Sequence, residues 1–271
     1  MSLKSIVLGV TTLPLKVGAL VTAFAIFLAW ERIWPAAPRP QAPSLGATAR
    51  LAGNLTLGVS VIVVYLLVAL PATVIGSAHA TRGFFDWRGA WAGGPLGFAI
   101  DFLLLDLFAY LWHRAVHELE FLWRLHEIHH RDEFLDSTIG VRFHPLEIAL
   151  GGLLRGCLVF GAAMPLEHVL LFDAILLLMA WFSHSNIRMP ARLEAALGWV
   201  IVTPEMHWTH HRTTKPETDQ NYGAVLCLWD RLFRTRARRK RRLGMELGVK
   251  SEPDLPLGAL LVEPFRNRRD D

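Results

Sequence analysis

"DFLLLDLFAYLWHRAVHE", Asp101–Glu118, is the stretch whose reading decides the fold. Its first twelve residues are apolar apart from Asp101, Asp106 and the Tyr110 hydroxyl, and its last six carry His113 and His117. Such a run reads as a membrane span that passes straight into polar chemistry. Counted from Gly94 through Trp112 the apolar part has 19 residues, and a bilayer core of about 30 Å takes about 20. His113 and His117, four residues apart, share a helix face with Cβ atoms about 5–6 Å from each other.

Four further stretches read in the same way. Val17 to Trp34 is a span with Lys16 near one interface and Glu31-Arg32 near the other. Gly53 to Gly76 carries no charge, and Pro71 is expected to kink it. Leu146–Met164 and Leu166–Phe182, broken at Pro165, form a hairpin. The first 24 residues could pass for a signal peptide, but Lys16 interrupts the apolar run and a second span follows, so a retained anchor is expected. "PAAPRPQAPSLGATAR", residues 35–50, is a linker rich in Pro and Ala.

The bulk composition agrees. Charged residues make up 19% and hydrophobic ones 52% of the 271 residues, against roughly 25% charged in soluble domains. The mean hydropathy is +0.33, and ten tryptophans suit a protein with two interfaces to anchor. The fold class is therefore all-α: polytopic membrane helices under a histidine-rich helical cap. Cys157 and Cys227 stand far apart, in no CxxC, and no disulfide is expected.

Orientation follows from positive charge. "RLFRTRARRKRRL", residues 231–243, has eight Arg or Lys among thirteen, and such runs after membrane helices mark the cytoplasmic side and touch anionic headgroups. That reading is preferred to a nucleic-acid tail. It places the Arg32, Arg39 and Arg50 loop and both ends of the hairpin inside, with the cap cytoplasmic. Within the hairpin, Arg155 lies ten residues before Pro165 and Asp173 eight after it. Antiparallel helices bring them to one depth, and a buried charge there needs a partner.

Eleven of the twelve histidines fall between His113 and His211. "LHEIHH", Leu125–His130, can be read as His126-Glu127-x-x-His130, the helix on which zinc proteases use the glutamate as general base. It can also be read as His126, His129 and His130 on one face. The second spacing recurs as His207, His210 and His211 in "MHWTHH", with Trp208 where Glu127 stands. What repeats is the histidines, so the protease motif is a coincidence of spelling. His184, in "FSHSN", sits at the mouth of the hairpin. Eight or nine imidazoles exceed what one ion takes. Two ions with four or five nitrogens each fit the count, and imidazole alone leaves iron, zinc, copper and nickel open.

HxxxH, HxxHH and HxxHH behind paired spans, with "RFHPLE", "FSHSNIRMP", "TPEMHWTHH", "TDQNYG" and "LWDRLFRT" around them, resemble the fatty acid hydroxylase superfamily of sterol desaturase-like membrane di-iron proteins. The likeness covers roughly residues 95–236. It implies two Fe ions that use dioxygen to hydroxylate or desaturate a membrane lipid. Carried over position by position, the ligands are His113, His117, His126, His129, His130, His207, His210 and His211, with His184 a ninth. His144, Asp106, Asn186, Asp219 and Asp230 are candidates for ligands or for partners of ligands, as is Glu127 for the latter. Asp106 is seven residues before His113, about 20° away on a helical wheel, and a polar pairing within the bundle competes with that role. This chain has Glu205-Met206 where hydroxylases of sphingolipid-type chains carry further histidines, so their substrate is not carried over.

The resulting division is 1–92 as N-terminal spans and linker, 93–243 as the hydroxylase-like domain and 244–271 as a C-terminal tail. No flavin, ferredoxin or cytochrome domain is fused within it, so electrons are expected from a separate ferredoxin- or cytochrome-type reductase system. No nucleic-acid partner is expected. Two other readings compete. One is an intramembrane zinc hydrolase using His126, Glu127 and His130. The other is a metal-binding transporter, which would place its ligands at mid-membrane.

Overall fold

A computed structural model describes residues 3–41, 43–79, 94–214, 217–237, 240–242 and 244–266. Arg238, Arg239 and Leu243 of the basic run lie outside them. Among the described residues the chain is helical, with isolated β-bridges and no strand. Ala47–Ala78, Gly94–Glu118 and Leu166–His184 are long and apolar enough to cross a membrane. The other two expected spans are helical as well. They are α1 (Leu3–Ile33) and α6 (Pro145–Gly161), and the 17 residues of α6 reach only about 25 Å.

The second span is interrupted where Pro71 requires it. α2 (Ala47–Val64) passes through a π turn, Tyr65–Ala69, into α3 (Leu70–Ala78). Pro71 has no N–H to give, and its ring crowds the carbonyl four residues back. The widened turn, in which the Leu70 N–H donates to the Tyr65 carbonyl, absorbs that misfit without a break. α3 then lies close on α6. A Cβ added to Gly156 would stand 2.9 Å from the Ala72 Cβ, and one on Gly76 2.7 Å from the Gly156 carbonyl. Small residues are what let membrane helices approach this closely.

α6 and α7 (Leu166–His184) make the expected hairpin. Arg155 and Asp173 meet across it, Nη1 to Oδ1 at 2.5 Å. Tyr65 donates its hydroxyl to the other Asp173 oxygen at 2.7 Å, and Arg155 Nη2 donates to the Thr73 hydroxyl at 3.3 Å. Three spans are thus tied at one depth. Exchanging the two charges (Arg155→Asp with Asp173→Arg) is expected to recover more folded protein, by membrane yield, than either single change. A double variant no better than the worse single one would contradict the pair.

The cap stands on these helices. α4 (Gly94–Glu118) runs into α5 (Glu120–His130), and the 3-10 turn Ser137–Val141 lies under the end of α7. Its core is largely ionic. Arg50 of α2 donates to Asp132 and Asp136, both at 2.7 Å, and to the Phe134 carbonyl at 2.6 Å. Arg142 donates to the Ile128 carbonyl and to Asn54 Oδ1, both at 2.7 Å, and pairs with Asp254. The stretch after 243, expected as a tail, is in its described part an arm across α5. Glu252 and Glu263 pair with Arg131, and Leu260 packs with Ile128 and Leu57.

Candidate metal centre

Four short pieces of chain deliver the histidines. The last turns of α4 bring His113 and His117, and α5 brings His126, His129 and His130. α7 ends on His184, and after the short α8 (Ala191–Leu197) comes α9 (Pro204–His210), opened by Pro204 in its first turn, which brings His207 and His210 with His211 at its cap. α5 is buried all round from Leu125 to His130 because its two sides serve different neighbours. Ile128 meets Leu57 and Leu260, while the histidines face α4 and α9.

The nine rings form two adjoining groups. One nitrogen each of His113, His117, His126, His130 and His210 lies within 4.8 Å of every other, and the same holds for His129, His184, His207 and His211. The groups touch where His130 and His211 stack with centroids 4.2 Å apart. All nine are buried except His113, which is partly so.

Hydrogen bonding fixes which nitrogen of several rings is bare. His113 Nδ1 donates to the Tyr222 carbonyl at 2.9 Å and His210 Nδ1 to the Gln220 carbonyl at 2.7 Å. His126 Nδ1 donates to Glu147 Oε1 at 2.8 Å. The Nε2 atoms of these three rings are buried and meet no hydrogen-bond partner. In the second group His129 Nδ1 donates to the Arg142 carbonyl at 3.1 Å and His184 Nδ1 to the Ala180 carbonyl at 2.6 Å. Carbonyls only accept, so the proton is on Nδ1 and Nε2 is a bare lone pair. Yet these two Nε2 atoms stand 3.0 Å apart, and His207 Nε2 stands 2.8 Å from that of His184 and 3.2 Å from that of His211. Lone pairs pressed together repel unless a cation sits between them. Two nitrogens each about 2.1 Å from one ion, at right angles, are about 3 Å apart. The donor set fits a metal.

Burial, followed by the neighbouring imidazoles, holds His129, His130, His207 and His211 well below the ordinary histidine range, and burial lowers His210 to about 3. Near neutral pH these rings are uncharged, the form that binds metal.

The other candidates lie outside the two groups. Glu127 is in neither group; its carboxylate accepts from Arg131 at 3.0 and 2.8 Å, on the side of the C-terminal arm. His144 caps α6 by accepting the Leu146 N–H, while its Nε2 donates to the Leu261 carbonyl. Asn186 bonds both ways with the Ala37 backbone. Asp219 comes within 3.5 Å of His117 Nδ1. Asp230 accepts the N–H groups of Tyr222 and Gly223 at 2.8 and 2.9 Å, so it steadies His113 through the Tyr222 carbonyl. Asp106 accepts from the Val225 and Leu226 N–H groups and Trp229 Nε1, not from a histidine.

Glu147 is the partner that sequence reasoning missed. Its signal is an acid three residues after His144, in the first turn of a span whose one other charge is Arg155, where the site is approached. Glu147→Ala is expected to weaken metal retention by about 10–100-fold in a chelator titration, with Glu147→Gln losing less because an amide oxygen still accepts.

Residues 98–235, just over half of the chain, match the family model described as fatty acid hydroxylase. The chain is 25% identical over 252 residues to the ornithine lipid hydroxylase OlsE of Rhizobium tropici, covering 92% of this chain and 73% of that one. It is 32% identical over 130 residues to the alkylglycerol monooxygenase of Caenorhabditis elegans and 27% over 176 to that of Homo sapiens. Those matches cover 48% and 63% of this chain but only 25% and 38% of the monooxygenases. No solved structure matches.

Proposed function

We propose that this chain, which belongs to the fatty acid hydroxylase family, is a membrane oxidoreductase that hydroxylates a lipid at two iron ions held by its nine clustered histidines. One observation carries the reading: buried, bare imidazole nitrogens converge in two adjoining groups of five and four. His113, His117, His126, His130 and His210 hold one ion, and His129, His184, His207 and His211 the other. Imidazole suits several metals; the choice of iron rests on the family.

Iron, when bound, would supply the insertion of one atom of dioxygen into a C–H bond, the other atom leaving as water with two protons and two electrons from a separate ferredoxin- or cytochrome-type donor. The chain supplies the setting. Glu147 and the carbonyls of Tyr222, Gln220, Arg142 and Ala180 hold the Nδ1 protons and so aim the rings. Phe143 stacks on His129 at 4.5 Å, and Trp123 lies 5.0 Å from His117, so apolar rings keep water from that edge. Hydroxylation is preferred to desaturation because it needs no second C–H bond in place. The relatives are named for ornithine lipids and alkylglycerols, and the substrate class proposed here is a long-chain lipid drawn from the bilayer.

Residues 93–243 are taken as the oxygenase unit, with the cap on the cytoplasmic side of a multi-pass chain. A reporter fused after Asp271 is expected to be active only in its cytoplasmic form, and an exported signal would reverse the topology. The function is tested by comparing lipids from cells with and without the gene, grown under labelled dioxygen. Lipids that gain one labelled oxygen are expected; loss of two hydrogens would mean desaturation, and an unchanged lipidome would refute the reading.

A further inference from the structure

The segment around α10 (Leu228–Leu232) is placed at a depth that a water-facing cap does not require. It docks on α4 at Asp106, which lies six residues, about 9 Å, below Trp112, where the apolar part of that helix gives way to the histidine-bearing turns. Asp106 accepts the Val225 and Leu226 N–H groups at 3.1 and 3.2 Å and Trp229 Nε1 at 2.9 Å. Phe233 stacks on Tyr110, four residues further up α4, with ring centroids 5.3 Å apart.

Irregular backbone survives at membrane depth only where its polar groups find internal partners. Here they do. Beyond the two amides on Asp106, Asp230 takes the Tyr222 and Gly223 N–H groups. The Cys227 N–H donates to the Val200 carbonyl, the Val202 N–H to the Val225 carbonyl and the Phe233 N–H to the Trp229 carbonyl. What the segment turns outward is apolar: Trp199 is 69% exposed, Val200 61%, Leu228 45% and Leu232 62%. On α4 itself Leu103 and Leu111 are exposed as well. Arginines border the segment. Arg231 lies 4.6 Å over the Trp199 ring and donates to the Gly198 carbonyl, as does Arg236, while Arg234 is free to reach outward.

We propose that residues 198–202 and 222–233 form a re-entrant segment immersed in the acyl region of the leaflet beside α4, with Arg231, Arg234 and Arg236 on the phosphates of anionic lipids. The apolar side chains and α4 set the depth, and the long arginine stems reach back to the headgroups. The metal centre is thereby sunk to the headgroup level instead of standing clear of the membrane. The inference rests on α4 crossing a bilayer and not on the chemistry proposed above, so either can fail alone.

The test uses the full chain in nanodiscs of phosphatidylcholine and phosphatidylglycerol. Exposed Cys157 is replaced by Ser, while Cys227 is buried and stays. Nitroxides are then placed at Val200→Cys and Leu232→Cys, with Trp199→Cys in reserve should either fail to fold and Val59→Cys on exposed α2 surface as the lipid-facing reference. Collisions with oxygen are expected to exceed those with a water-soluble nickel chelate several-fold at both sites, as at the reference. Removing the anionic lipid is expected to raise nickel access at residue 200. Nickel-dominated collisions would overturn the proposal, as would dipolar broadening that reveals a second copy on this face. Depth unchanged without anionic lipid would overturn the role given to the arginines.

Discussion

Replacing His207 or His129 by Ala is expected to abolish lipid oxidation and to strip metal from the four-histidine group, whereas Glu127→Gln leaves the metal bound and the enzyme working. The contrast follows from where the side chains go. His207 Nε2 lies 2.8 Å from that of His184 and 3.2 Å from that of His211, and its removal leaves a hole among crowded donors. Glu127 points away, to Arg131. Glutamine keeps a carbonyl for that contact, and Arg131 retains Glu252 and Glu263 as partners. Its loss should not exceed the roughly 10–100-fold typical of groups that act through a ligand. Activity and metal content measured on the same preparations decide the matter. A dead Glu127→Gln with full metal, beside a working His207→Ala, would restore the zinc hydrolase in which that glutamate is the base.

Arg142→Met should be the most damaging change outside the histidines. Arg142 is 1% exposed. It binds the Ile128 carbonyl, Asn54 and Asp254, and lies 3.5 Å from Asp132. Its loss leaves Asp254 buried without its cation, and breaking such a pair costs about 3–5 kcal/mol. A lysine does not rescue it, because one ammonium cannot reproduce the planar fork that serves three partners. The damage also reaches the metal, since the Arg142 carbonyl accepts from His129 Nδ1. The thermal midpoint of the purified protein should fall in both Arg142→Met and Arg142→Lys, with metal lost more readily. An unchanged midpoint would mean that the ionic core is not what holds the cap.

Much of this was legible in the sequence because helical spacing and apolar length are local properties. The five helical stretches, the clustering of nine histidines and the meeting of Arg155 with Asp173 follow from periodicity and antiparallel counting. How the histidines divide does not. His126 and His130 go to one group and His129 to the other, and His210 parts from His207 and His211; that depends on how α5 and α9 cross, which spacing leaves open. Most partners of Nδ1 are backbone carbonyls, which every residue carries and no motif marks. The helical wheel sets Asp106 on the side of His113 but does not say what meets it there, a returning loop whose Val225 and Leu226 amides it accepts. The ionic core was hidden for a related reason: Arg50 lies 82 residues from Asp132, and Arg142 lies 112 from Asp254.

The central claim is that one chain holds two irons in two histidine groups, and the direct measurement is the metal content of the purified full-length protein, taken together with its Mössbauer spectrum. About two irons per chain, with spectra of high-spin iron in nitrogen-rich sites and both lost together with activity on chelation, is the expected result. A single zinc per chain, or activity that survives complete removal of iron, would contradict it.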